Sequence, residues 1–65
     1  MTLLTQREAA LALRLSTRSL ERMRVSGLGP KFVKAGRSIR YQREALEEWI
    51  AGRVVRSTSE VVVRQ

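Results

Sequence analysis

The hydrophobic positions of this chain change period twice, and each change marks a new element. Thr5-Gln6-Arg7-Glu8 has the form of a capping box, and Ala9, Ala10 and Leu13 then fall on one helical face. This pattern predicts a helix from about Gln6 to Leu13, with Leu3 or Leu4 packing back against it as a staple. Only Arg14 and Leu15 separate it from the next capping candidate, Ser16. After Ser16, Leu20 and Met23 share one helical face, while Arg18 and Arg22 share another. Gly27 and Gly29 stop this second helix, and Pro30 blocks its continuation.

From Lys31 to Tyr41 the period becomes two. The segment reads as a short hairpin turning through Ala35-Gly36-Arg37, with Gly36 supplying a positive φ. In that phase Val33, Ile39 and Tyr41 face the core. Lys34, Ser38 and Arg40 face outward, with Arg37 at the tip. Phe32 breaks the alternation. A third helix follows from about Arg43 to Ala51, with Ala45 or Leu46, Trp49 and Ile50 as its apolar stripe and Gly52 as its C-cap. The segment 53–65 is a tail with two valine clusters interrupted by Ser57-Thr58-Ser59. Two readings of it stay open: a frayed end, or a strand added to a neighbouring copy.

Composition narrows the chemistry. The 65 residues suit one small domain, and they contain no cysteine, histidine or aspartate. The commonest general base and the thiol nucleophile are missing, so neither an enzyme nor a metal or other cofactor is expected. No apolar run approaches the ~20 residues that span a bilayer. Without the order of an export signal at the N-terminus, a cytoplasmic location is expected.

Charge sharpens the picture. The net charge is +7. Between Arg14 and Arg40 stand eight basic side chains against one acid, Glu21, whereas the flanking segments balance. Charge concentrated in this way is the footprint of a face that meets a polyanion. Two short helices joined by a tight turn and followed by a basic hairpin describe a fold that is mainly α with a β-hairpin wing, a winged helix-turn-helix. Its second helix would enter the major groove of double-stranded DNA. Thr17, Arg18, Glu21 and Arg22 are the candidates for base edges, and Ser16 is the cap that leaves backbone N–H groups facing a phosphate. Lys34, Arg37 and Arg40 would follow the backbone or the adjacent minor groove. Tyr41 and Trp49 read as core residues rather than base-stacking ones.

These segments resemble the small excisionase and AlpA-like regulators with a MerR-type winged helix-turn-helix. The resemblance rests on Leu4-Thr5-Gln6-Arg7-Glu8-Ala9-Ala10, Leu15-Ser16-Thr17-Arg18-Ser19-Leu20, the run from Gly29 to Arg37, Ile39-Arg40-Tyr41 and Ala45-Leu46-Glu47-Glu48-Trp49-Ile50. It implies a DNA-binding domain over residues 1–52 and a role as transcriptional regulator or recombination directionality factor. The latter bends attachment-site DNA and redirects an integrase, acting in several copies. Lacking a ligand domain and a cysteine or histidine sensor, the sequence leans toward the excisionase role. The alternatives are a promoter-binding regulator, an RNA-binding basic module, and a protein that uses the same basic face to bind an acidic partner. One departure is Arg14, where the group usually has glycine. A non-glycine residue in the left-handed region costs about 1–2 kcal/mol, which leaves open an altered turn and a changed angle of the second helix.

Overall fold

The computed structural model describes residues 2–56 and contains a three-stranded antiparallel sheet with three helices. The order is β1 (Leu3–Thr5), α1 (Gln6–Leu13), α2 (Thr17–Ser26), β2 (Val33–Ala35), β3 (Ser38–Gln42) and α3 (Arg43–Ala51). This is a small winged helix-turn-helix. Of the two valine clusters of the tail, Val54 and Val55 are described and exposed, and the second, at 61–63, lies outside the described residues.

The helices begin where the local chemistry places them. Thr5 Oγ1 accepts from the Glu8 N–H at 3.1 Å, and Glu8 Oε1 accepts from the Thr5 N–H at 2.8 Å, which completes the capping box of α1. Ser16 Oγ accepts from the Ser19 N–H at 3.0 Å and caps α2. Both helices also end alike. At the end of α1, Arg14 takes the left-handed conformation (φ 59°, ψ 39°), and the Leu15 N–H closes on the Ala10 carbonyl at 2.8 Å. At the end of α2, Gly27 does the same (φ 82°), and the Leu28 N–H closes on the Met23 carbonyl at 3.0 Å. The turn is therefore kept rather than altered. Arg14 bears the conformational cost, about 1–2 kcal/mol, that glycine would have avoided.

The wing corrects the expected facing of its residues. Ala35 pairs with Ser38, so the turn has two residues, Gly36 and Arg37, and not three. Gly36 carries the positive φ of 64° that a two-residue turn with glycine in first place needs. One residue less in the turn moves β2 by one position against β3, which exchanges its faces. Lys34 therefore stands opposite Ile39, on the face of Tyr41, while Val33 stands opposite Arg40 and is 37% exposed. Phe32 is now in phase. Its ring lies 6.2 Å from the Tyr41 ring, tilted by 52°.

β1 is a strand that the sequence pattern does not predict. It pairs along β3, with Leu4 opposite Tyr41 and Thr5 opposite Arg40, and so makes β3 the central strand. Ala9, Ala10, Leu20, Tyr41 and Leu46 form the core, with Leu4, Leu13, Met23 and Ile39 packed around it. The two alanines have little side chain to bury, which lets α1 lie close to its neighbours. Of the expected stripe on α3, Leu46 is buried and Trp49 partly so, but Ile50 is 45% exposed at the rim.

Candidate nucleic-acid interface

The turn between α1 and α2 decides what the start of α2 can offer. Ser16 uses its hydroxyl fully on Ser19, accepting from its N–H and donating to its Oγ at 2.9 Å. The first intrahelical bond runs from the Leu20 N–H to the Ser16 carbonyl at 3.1 Å. The N–H groups of Thr17 and Arg18 therefore precede the ladder and are donors for an anion. Thr17, Arg18, Glu21 and Arg22 are all exposed. Leu20, buried completely between them, faces the core and turns them outward. Arg18 and Arg22 lie one turn apart and have no ion pair among the described residues. Glu21 reaches toward Arg24 at 4.0 Å, the limit of an ion pair.

Not every cation of the basic segment belongs to this surface. Arg24 is turned inward, with its side chain 22% exposed. Its Nε donates to Gln6 Oε1 at 3.4 Å, and its guanidinium lies 5.8 Å from the centre of the Phe32 ring. It ties α2 to α1 and to the start of the wing. Charge alone does not separate it from Arg22, because the positions of Gln6 and Phe32 make the distinction.

The wing brings three cations together in a different way from that expected. Arg37 sits in the exposed turn. Lys34 projects from the Tyr41 face of β2, and Arg40 from the opposite face of β3 beside Val33. Arg40 is partly buried, and its Nη1 donates to the Ile39 carbonyl at 2.9 Å. Lys34 and Arg40 thus flank the hairpin on its two sides and do not share an outward face. Burial pushes the Tyr41 phenol above its ordinary range, and the Arg24 guanidinium acts against that rise.

A contact that sequence reasoning missed sets where the wing departs from α2. The Leu28 carbonyl accepts from Trp49 Nε1 and from Arg53 Nη2, each at 3.0 Å. The Arg53 guanidinium also lies 4.2 Å from the centre of the Trp49 ring. The end of α3 thereby holds the loop after Gly27. Neither partner is near Leu28 in sequence, so no local signal announces the pair.

No helix among the described residues is long and apolar enough to cross a membrane. A search among curated proteins finds no match. The description that fits is that of the helix-turn-helix domain, whose family profile matches residues 3–54, from β1 through α3 and just past the Arg53 contact. With its capped second helix exposed, its basic wing and that match over most of its length, the chain belongs to the helix-turn-helix domain family of DNA-binding proteins.

Proposed function

We propose that this protein is an excisionase-type recombination directionality factor, binding and bending attachment-site DNA in several copies to direct an integrase. The observation that carries the DNA-facing part is the start of α2, where Arg18 and Arg22 are exposed beside the unspent N–H groups of Thr17 and Arg18. In this reading α2 enters the major groove. Arg18 and Arg22 contact guanine or phosphate, Glu21 accepts from cytosine, and Thr17 supports the same edge. The N–H groups freed by the Ser16 cap hold a phosphate. Arg37 grips the backbone from the wing tip, with Lys34 and Arg40 reaching it from either side.

The excisionase role rests on the resemblance, and its several copies on the contact area of one such domain. A single module of this kind covers on the order of 600–1,000 Å² of DNA contact, so tight specific binding needs several copies side by side. A promoter-binding regulator is the second reading, and it would sit more often as a dimer on a two-fold site. Base stacking by aromatics, which an RNA-binding module would use, finds little support. Trp49 lies against Arg53, Tyr41 is buried, and Phe32, 41% exposed, has its ring near both Tyr41 and Arg24.

The test is selection of bound duplexes from a random library, followed by binding of two variants. A short motif repeated in one orientation supports the excisionase reading, and an inverted repeat moves it to the dimeric regulator. Arg22→Ala should cost about 1–3 kcal/mol on the selected motif and relax base preference. Arg37→Ala should weaken every sequence alike and flatten the salt slope by about one. Identical effects of the two variants on every sequence would contradict these roles.

A further inference from the structure

We infer that Arg14 is a phosphate contact, and that its place in the turn is held for that charge despite the backbone strain it brings. The inference rests on the DNA-binding reading above and adds to it a residue from the turn itself. Among the described residues Arg14 is alone in having a positive φ without being glycine. The same chain closes α2 with Gly27 in the same left-handed conformation and with the same closing bond pattern, so the geometry asks for nothing beyond glycine. A strained residue is held by the structure around it, and such residues cluster where a ligand makes use of them.

Nothing inside the domain does so. Arg14 is exposed, and its guanidinium makes no hydrogen bond, ion pair or ring contact among the described residues; its bonds there are made by the backbone N–H. Arg24, by contrast, has its side chain engaged by Gln6 and Phe32. What does lie near Arg14 is the start of α2. Only Leu15 separates it from the Ser16 cap, whose helix offers the N–H groups of Thr17 and Arg18 to an anion. A long cationic side chain at that place adds charge to the end of α2 where the backbone already favours a phosphate. The ligand is therefore the phosphate backbone of duplex DNA, contacted without regard to base.

The test separates charge from geometry. Arg14→Gly and Arg14→Lys are made in the full chain, and thermal unfolding is measured together with affinity for a selected duplex at two salt concentrations. Arg14→Gly should unfold a few degrees higher than the parent yet bind more weakly. Its deficit should widen about 3.5-fold when salt is lowered fourfold, as expected for one lost phosphate contact. Arg14→Lys should keep most of the affinity and the parent salt slope. Unchanged binding by Arg14→Gly overturns the inference alone. So does weaker binding with an unchanged salt slope, which would mark a shifted helix and no lost contact. A parent protein without duplex affinity overturns the DNA-binding reading and this inference with it.

Discussion

Tyr41 carries the least comfortable atom in the core, and Tyr41→Phe is expected to stabilise the protein. The ring is fully buried at the centre of β3, and its hydroxyl makes no hydrogen bond among the described residues. A buried hydroxyl deprived of water and of any partner costs about 1–3 kcal/mol. Removing it leaves a gap of roughly one oxygen atom, which forfeits a few dispersion contacts of about 0.1–0.2 kcal/mol each. The packing against Phe32 is a contact of rings and survives the change. The net gain should be about 1 kcal/mol, which in a domain of this size raises the unfolding midpoint by about 4–8 °C. Urea unfolding with an unchanged slope is the assay. A second signature lies in alkaline solution. Burial raises the Tyr41 pKa in the folded state, with Arg24 opposing, so the native protein holds that proton more tightly than the unfolded chain. The corresponding stability is present in full below about pH 10 and declines as pH rises beyond it. Tyr41→Phe should lack that part of the alkaline decline. A loss of 1 kcal/mol or more on removing the hydroxyl would refute the reasoning, because it would mean that the native state satisfies it.

Two further outcomes follow from the packing. Leu20→Ala empties a fully buried site that also orients α2, at about 2–5 kcal/mol. At about 0.05–0.15 kcal/mol per residue the whole chain has about 3–10 kcal/mol to lose, so the variant should forfeit about half of its stability and melt at a far lower temperature by circular dichroism. A cooperative melt close to that of the parent would contradict the assigned core. Arg53→Ala removes one of two donors to the Leu28 carbonyl and the cation over Trp49, and should cost about 1 kcal/mol. The urea midpoint reads this directly, and an unmoved midpoint would mean that the contact at the end of α3 holds nothing.

What was legible in the sequence was short in range. Thr5 with Glu8 and Ser16 with Ser19 are bonded across three residues, so each cap is visible wherever the right types recur at that spacing. The same holds for Gly27, whose lack of a side chain suits the left-handed closure. Because Ser16 and Leu20 together set the start and the phase of α2, the outward position of Thr17, Arg18, Glu21 and Arg22 is legible in the sequence. Contacts that join distant segments left no such mark. β1 is three residues long, too short to show alternation, and its strand exists only because β3 lies beside it. Leu28, Trp49 and Arg53 meet across the fold in the same manner.

The wing shows why one residue can matter more than a whole element. Ala35-Gly36-Arg37 accommodates a turn of two residues or three with the same glycine, and hydrophobic alternation on the β2 side was too brief to choose. The choice nevertheless decides which side of the hairpin Lys34 occupies. Phe32 held the answer. It broke the alternation counted from Val33, and counted from Phe32 the phase is that of the structure, with its ring against Tyr41. Phe32 stays 41% exposed, and it is the ring contact with Tyr41, rather than burial, that marks its side of the sheet. In the DNA-binding reading proposed above, the consequence reaches the DNA. A wing with Lys34 and Arg40 on opposite sides and Arg37 at its tip suits insertion between two phosphate rows. A flat approach of one face to the backbone would use only one of the flanking cations. Lys34→Ala and Arg40→Ala should then each weaken binding, and additively, as independent contacts do, whereas in a flat approach one of the two variants would bind like the parent.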